Sequence, residues 1–166
     1  MTIYCSKKLE TFLGKIVKPV SAVSSWLGDW NGHLFTVDRK KCLIFMNNKT
    51  CYSVIMTNVY KKELVDFGQS FRERFIQQLD FDLGLNEAQE VKLRKELSDI
   101  LVTRTNNDRR IQGTINHHVD QLKFVGYRDG GIEFSDTAKE NQILNSTPMG
   151  TKNYYFAKEL MADLIK

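Results

Sequence analysis

The stretch Trp30–Met56, WNGHLFTVDRKKCLIFMNNKTCYSVIM, decides the fold class. Three runs rich in β-branched and aromatic residues (HLFTV, CLIFM, CYSVIM) are separated by the charged turn Asp38-Arg39-Lys40-Lys41 and the polar turn Asn47-Asn48-Lys49. That is the pattern of a three-stranded antiparallel meander. In the second run Cys42, Ile44 and Met46 alternate with Leu43 and Phe45, so both faces are apolar and both need cover. The expected fold is α+β: an antiparallel meander sheet of three to five strands, extended by Ile100-Leu101-Val102 and packed by about five or six helices.

Upstream of the meander, Ile3-Tyr4-Cys5 reads as a possible first strand. Ser6 then caps a short helix that turns Leu9, Phe12 and Leu13 inward and ends at Gly14. Lys15 to Gly28, with Pro19 and three serines, reads as a loop delivering Trp26 and Trp30. Downstream, Tyr60, Leu64, Phe67, Phe71 and Phe75 form an apolar stripe on a helix expected over about 60–79. Lys61, Lys62, Arg72 and Arg74 occupy its other faces, a basic surface open to an acidic partner or a nucleic-acid backbone. Asn86 with Gln89 has the spacing of a capping box, and the helix after it carries Glu87 and Glu90 early and Lys92, Arg94 and Lys95 late. Thr137 with Glu140 has the same spacing for a short helix ending near Asn145, and a last helix over about 155–165 docks on the core. Phe67, Phe71, Phe75, Ile111, Ile115, Leu160 and Leu164 are the expected core of the helical layers.

The 166 residues, 42% hydrophobic with only two prolines, suit one globular domain over 1–166. The charged N-terminal decapeptide and the short apolar runs predict a cytoplasmic protein without a membrane anchor. A net charge of +4 is spread along the chain and permits nucleic-acid binding without arguing for it. Cys5, Cys42 and Cys51 lack metal spacing, and their odd number favours reduced thiols. In a hairpin turning near Asn48, Cys42 falls opposite about Ile55, which leaves Cys51 roughly 13 Å away along the strand, beyond disulfide reach.

The functional reading centres on Ile100 to Val125, ILVTRTNNDRRIQGTINHHVDQLKFV: a strand, a capping loop Asn106-Asn107-Asp108, then a helix with Ile111, Ile115, Val119 and Leu122 inward. Arg109 and Arg110 stand in its first turn, against the helix dipole. Gly113 sits inside the helix, where glycine costs about 1 kcal/mol relative to alanine and calls for a reason such as close backbone approach. Thr105, Asn106, Arg109, Arg110, Asn116 and His117 are therefore the candidate anion- or partner-binding residues, the first five expected to converge on the helix N-terminus. The alternative is that both arginines are solvated or pair with Asp99, Asp108 or Asp129. Lys7 and Lys8 repeat the oddity at the first helix.

Adjacent helical residues point about 100° apart, so His117 and His118 cannot chelate together; one of them remains a general-base candidate beside Arg109. No phosphate loop, nucleophile elbow or paired CxxC occurs, and neither cofactor nor metal is expected. The leading expectation is a binding or regulatory protein that acts on a macromolecular partner, as small bacterial or phage regulators, antitoxins and defence inhibitors do, with protein favoured over nucleic acid. The alternative is a nucleic-acid binder or nuclease-like toxin that uses the basic helix N-terminus.

The run Asp29-Trp30, Leu34-Phe35, Asp38-Arg39 and the strand from Thr50 to Ile55, with Ser6 to Leu9, Asp108 to Asn116 and Leu144 to Pro148, resembles a bacterial family catalogued as domain of unknown function 6933. Trp30, Arg39, Thr50, Arg109, Gly113, Asn116, Asn145 and Pro148 match its pattern, as does Thr114 in place of a serine. Arg110 stands where a serine is usual and His117 where an acid is usual. The resemblance implies a fold and no particular activity.

Overall fold

The computed structural model describes residues 1–19, 23–150 and 155–166. Among these the elements run β1 (Thr2–Cys5), α1 (Lys7–Leu13), β2 (Trp30–Val37), β3 (Lys40–Asn47), β4 (Ser53–Met56), α2 (Phe67–Leu83), α3 (Glu87–Glu96), β5 (Leu101–Arg104), α4 (Arg109–Asp129), α5 (Thr137–Asn145), β6 (Pro148–Met149), β7 (Tyr155–Phe156) and α6 (Ala157–Ile165). The class is α+β with six helices among the described residues, as the sequence predicts.

The strand directions differ from expectation. The main sheet has the order β4-β3-β2-β1-β5. β2, β3 and β4 form the antiparallel meander, but β1 runs parallel to both of its neighbours, β2 and β5. The sheet is mixed, not antiparallel. A parallel return needs a long crossover; residues 6–29, with α1, supply one from β1 to β2, and α2 with α3 supply the path from β4 to β5. The meander register also differs, since Ile44 rather than Cys42 lies opposite Ile55. Cys51 precedes β4 with φ +58°. All three cysteines are buried thiols, and burial, with Glu10 adding to it, pushes Cys5 up to about 12.

Helices cover both faces of the sheet. On one side Phe45 meets the rings of Phe67 and Phe71, and Trp30 meets Phe71 and Phe75 edge-on. Gly32 lies on that side too: a Cβ there would sit 2.7 Å from Leu9 of α1 and 2.8 Å from Phe45. On the other side α4 crosses β2 at Gly126, where a Cβ would lie 2.4 Å from Val37 Cγ1. Among the described residues, close approach along α4 is therefore made at Gly126, not Gly113.

β4 is the last strand of the sheet, and α5 seals its outer edge with side chains. Asn145 Oδ1 accepts from Ser53 N–H at 2.8 Å and Asn141 Oδ1 from Ile55 N–H at 2.9 Å, while both Nδ2 groups donate to the Ser53 carbonyl. Two amides one helical turn apart thus replace a neighbouring strand. Behind them a buried network continues: Asn145 and Tyr52 both donate to Asp82 Oδ2, and Gln78 donates to Asp82 Oδ1.

Three helix expectations need correction. Tyr60 to Leu64 is not part of α2; Lys61–Leu64 is a separate 3-10 turn, because Asp66 caps α2 through Gln69 N–H. The cap of α5 is Asp136, accepting from Lys139 N–H, rather than Thr137. In α6 the buried residues are Ala157, Met161 and Ile165, whereas Leu160 and Leu164 are only half-buried. The capping box of α3 is as expected, and Phe67, Phe71, Phe75, Ile111 and Ile115 are buried.

Candidate functional site

α4 carries the candidate residues, and its first turn explains why they do not converge. Asp108 Oδ1 accepts from the N–H groups of Arg110 and Ile111, both at 3.1 Å. A carboxylate of the chain itself therefore holds the place that the dipole and the unpaired amides would offer to an anion. Thr105 Oγ1 accepts from Asn107 N–H at 3.0 Å and from Gln112 Nε2 at 3.4 Å, and Asn106 Oδ1 accepts from Asp108 N–H at 3.2 Å. These side chains build the turn that launches the helix.

Five of the six candidates divide between two sides of α4. Thr105 and Asn116, with Ser6, Lys7, Asn31 and His33, line a polar cavity of about 290 Å³ beyond the carboxyl ends of β1 and β5. Arg109, Arg110 and His117 line a groove of about 450 Å³ between α4 and β6, opposite Pro148 and Met149. Asn106 is exposed and lines neither. Both arginines are exposed, and neither forms an ion pair among the described residues. Of the acids weighed as their partners, Asp108 serves as the cap and Asp129 pairs with Arg128 at 2.6 Å.

Two further features mark the groove beside β6. Gly113 lines it, and a Cβ on Gly113 would meet nothing within 4 Å among the described residues. Among the described residues, nothing covers the helix backbone there. His118 also lines it, 2% exposed and with no hydrogen-bond partner for Nδ1 among the described residues. Burial, with His117 adding to it, holds the His118 imidazole down at about 4, so it is neutral near pH 7. His117 is exposed.

A third groove, between α4 and α5, is one the sequence reading missed. It is largely apolar, floored by Leu122, Val125 and Leu144, with Phe124 (65% exposed) and Ile143 (49% exposed) at its mouth. His117 lines this groove as well as the basic one, so the two are neighbours on α4. The signal was present: Phe124 falls off the buried stripe of Ile111, Ile115, Val119 and Leu122. By contrast Arg72 and Arg74, expected to be free basic surface, donate to the carbonyls of Leu97 and Ile55.

The positions that resemble the family pattern sort onto this geometry. Trp30 is core, Thr50 donates through N–H and Oγ1 to Asn47 Oδ1, Arg39 holds a turn at φ +64° and Asn145 seals β4. Arg109, Gly113, Thr114 and Pro148 all line the basic groove. The family model for a domain of unknown function (DUF6933) matches residues 2–160. The chain belongs to the DUF6933 family. No curated protein and no solved structure matches it. Among the described residues of this DUF6933 protein, no cluster of three or more histidine, cysteine or acidic side chains could hold a metal ion, and no helix is long and apolar enough to cross a membrane.

Proposed function

We propose that this protein is a cytoplasmic binding module of bacterial or phage regulatory type, without a catalytic step of its own, that engages a protein partner along α4. The observation that carries the reading is the apolar groove with Phe124 and Ile143 at its mouth, which shares His117 with the groove of Arg109 and Arg110. Apolar surface of this kind, rimmed by polar residues, marks interaction sites. The complementary segment carries apolar side chains for the α4–α5 groove and acidic groups for the arginines. Gly113 lets that segment approach the helix backbone.

Affinity purification from the native host, comparing the wild type with Phe124→Ser and with the double variant Arg109→Ala, Arg110→Ala, tests this. The expected result is one protein retained by the wild type and lost from both variants, with melting temperatures unchanged. Retention of the same protein by both variants overturns it. A second reading, a nucleic-acid binder, is favoured by one observation: two exposed arginines without an ion pair among the described residues. Polynucleotide affinity that falls steeply with salt, and less steeply in the double arginine variant, would establish that reading instead.

A further inference from the structure

We propose that β2 carries a second docking surface, an open strand edge at Leu34 and Thr36 that accepts an extended acidic segment of the partner by strand addition; it rests on the reading that the partner is a protein. β1 ends at Cys5, which lies beside Gly32, while β2 runs on to Val37. Beyond Gly32, β2 keeps β3 on one side and has no strand on the other among the described residues.

The direction of the backbone groups follows from the register. Ser6 N–H donates to the Gly32 carbonyl at 2.9 Å, so Gly32 turns its backbone groups towards β1. Alternate residues of a strand repeat that direction, so Leu34 and Thr36 point the same way. β3 agrees: Lys41, opposite Thr36, gives its carbonyl to Val59 N–H at 2.8 Å, away from β2. Two amides and two carbonyls therefore face a groove of about 520 Å³ lined by Leu34 and Thr36.

An open edge is a hazard that folded proteins usually blunt, and this molecule does so elsewhere. Asn141 and Asn145 seal β4, and Lys18 N–H reaches the Val102 carbonyl of β5 at 2.8 Å. The upper edge of β2 has no such seal among the described residues. Lys8 of α1 and Asn116 and Lys123 of α4 wall the groove, with His33 at its base. Asp120 pairs with Lys123 at 3.3 Å, which leaves Lys8 and His33 without an acidic partner among the described residues. Burial lowers the His33 pKa, and Lys8 and Lys123 lower it further; with Lys8 and Lys123 set against Asp120 alone, the charged side chains that line the groove are net positive. Backbone pairing demands an extended occupant, and the charge favours glutamate or aspartate on it.

The test uses the full chain and a short synthetic peptide alternating valine with glutamate, followed by amide NMR. The expected result is that Leu34 and Thr36 amides shift and become protected from exchange. N-methylation of alternate peptide amides, or lysine in place of glutamate, weakens binding about tenfold or more, and Thr36→Pro, which removes one edge donor, weakens it likewise. Should Thr36→Pro fail to fold, the N-methylated peptide still decides. Equal binding of the N-methylated peptide, no binding at all, or a dimer of the free protein joined through Leu34 and Thr36 overturns the proposal. Shifts confined to Phe124 and Ile143 overturn it while leaving the α4 groove reading intact.

Discussion

Gly113 and Gly126 belong to the same helix and respond to a methyl group in opposite ways. Nothing among the described residues lies within 4 Å of a Cβ on Gly113, whereas on Gly126 it would meet Val37 at 2.4 Å. Gly113→Ala should therefore stabilise the free protein by about 0.5 to 1 kcal/mol, the helix-propensity difference, while weakening partner binding. Gly126→Ala should destabilise it. Chemical denaturation of both variants checks this, and a loss of stability in Gly113→Ala would sink the idea that its backbone is bare. His118 gives a pH signature. Its folded value of about 4 lies below the ordinary 6.5, so the unfolded chain binds the proton more readily, and stability present above 6.5 is lost as the pH falls towards 4. The loss should reach about 2 kcal/mol between about pH 7 and pH 5. His118→Leu, replacing a ring whose Nδ1 has no partner among the described residues, should flatten that dependence; an unchanged slope in urea titrations would refute the assignment.

Each element rests on devices that differ in how visible they are along the chain. The Asn86–Gln89 box and the Phe67, Phe71, Phe75 stripe were legible because both are local, set by spacings of three and four residues. The seal on β4 was not legible, since it joins Asn145 to Ser53, 92 residues apart. Asn145→Ala would leave the buried Ser53 N–H unpaired and the Ser53 hydroxyl with only the Asn141 Nδ2 contact, and should cost about 1 to 3 kcal/mol, more than removal of an exposed asparagine. A midpoint shift in urea at unchanged slope measures it. At α4 the capping loop and the buried stripe were foreseeable. That Asp108 would take the amides of Arg110 and Ile111, dividing Thr105 and Asn116 from Arg109 and His117, depends on a turn geometry that composition does not encode.

The whole molecule is drawn together at Phe71, whose ring lies 5.4 Å from Trp30, 5.0 Å from Phe45 and 5.9 Å from Phe75 between centroids. Phe71→Ala should cost about 3 to 5 kcal/mol, a large share of the roughly 5 to 15 kcal/mol that stabilises a folded domain, and equilibrium unfolding will show whether it does. The α+β class follows from alternation and stripe alone. Strand direction does not, because β1 alternates identically whichever way its neighbours run. The place of β1 also bears on how the protein is made. Residues 101–104, which close the second edge of residues 2–5, follow them from the ribosome about 5 to 20 s later at roughly 5 to 20 residues per second. Through that interval β1, an interior strand of the finished sheet, lacks its second neighbour, and its open edge is a template for wrong partners.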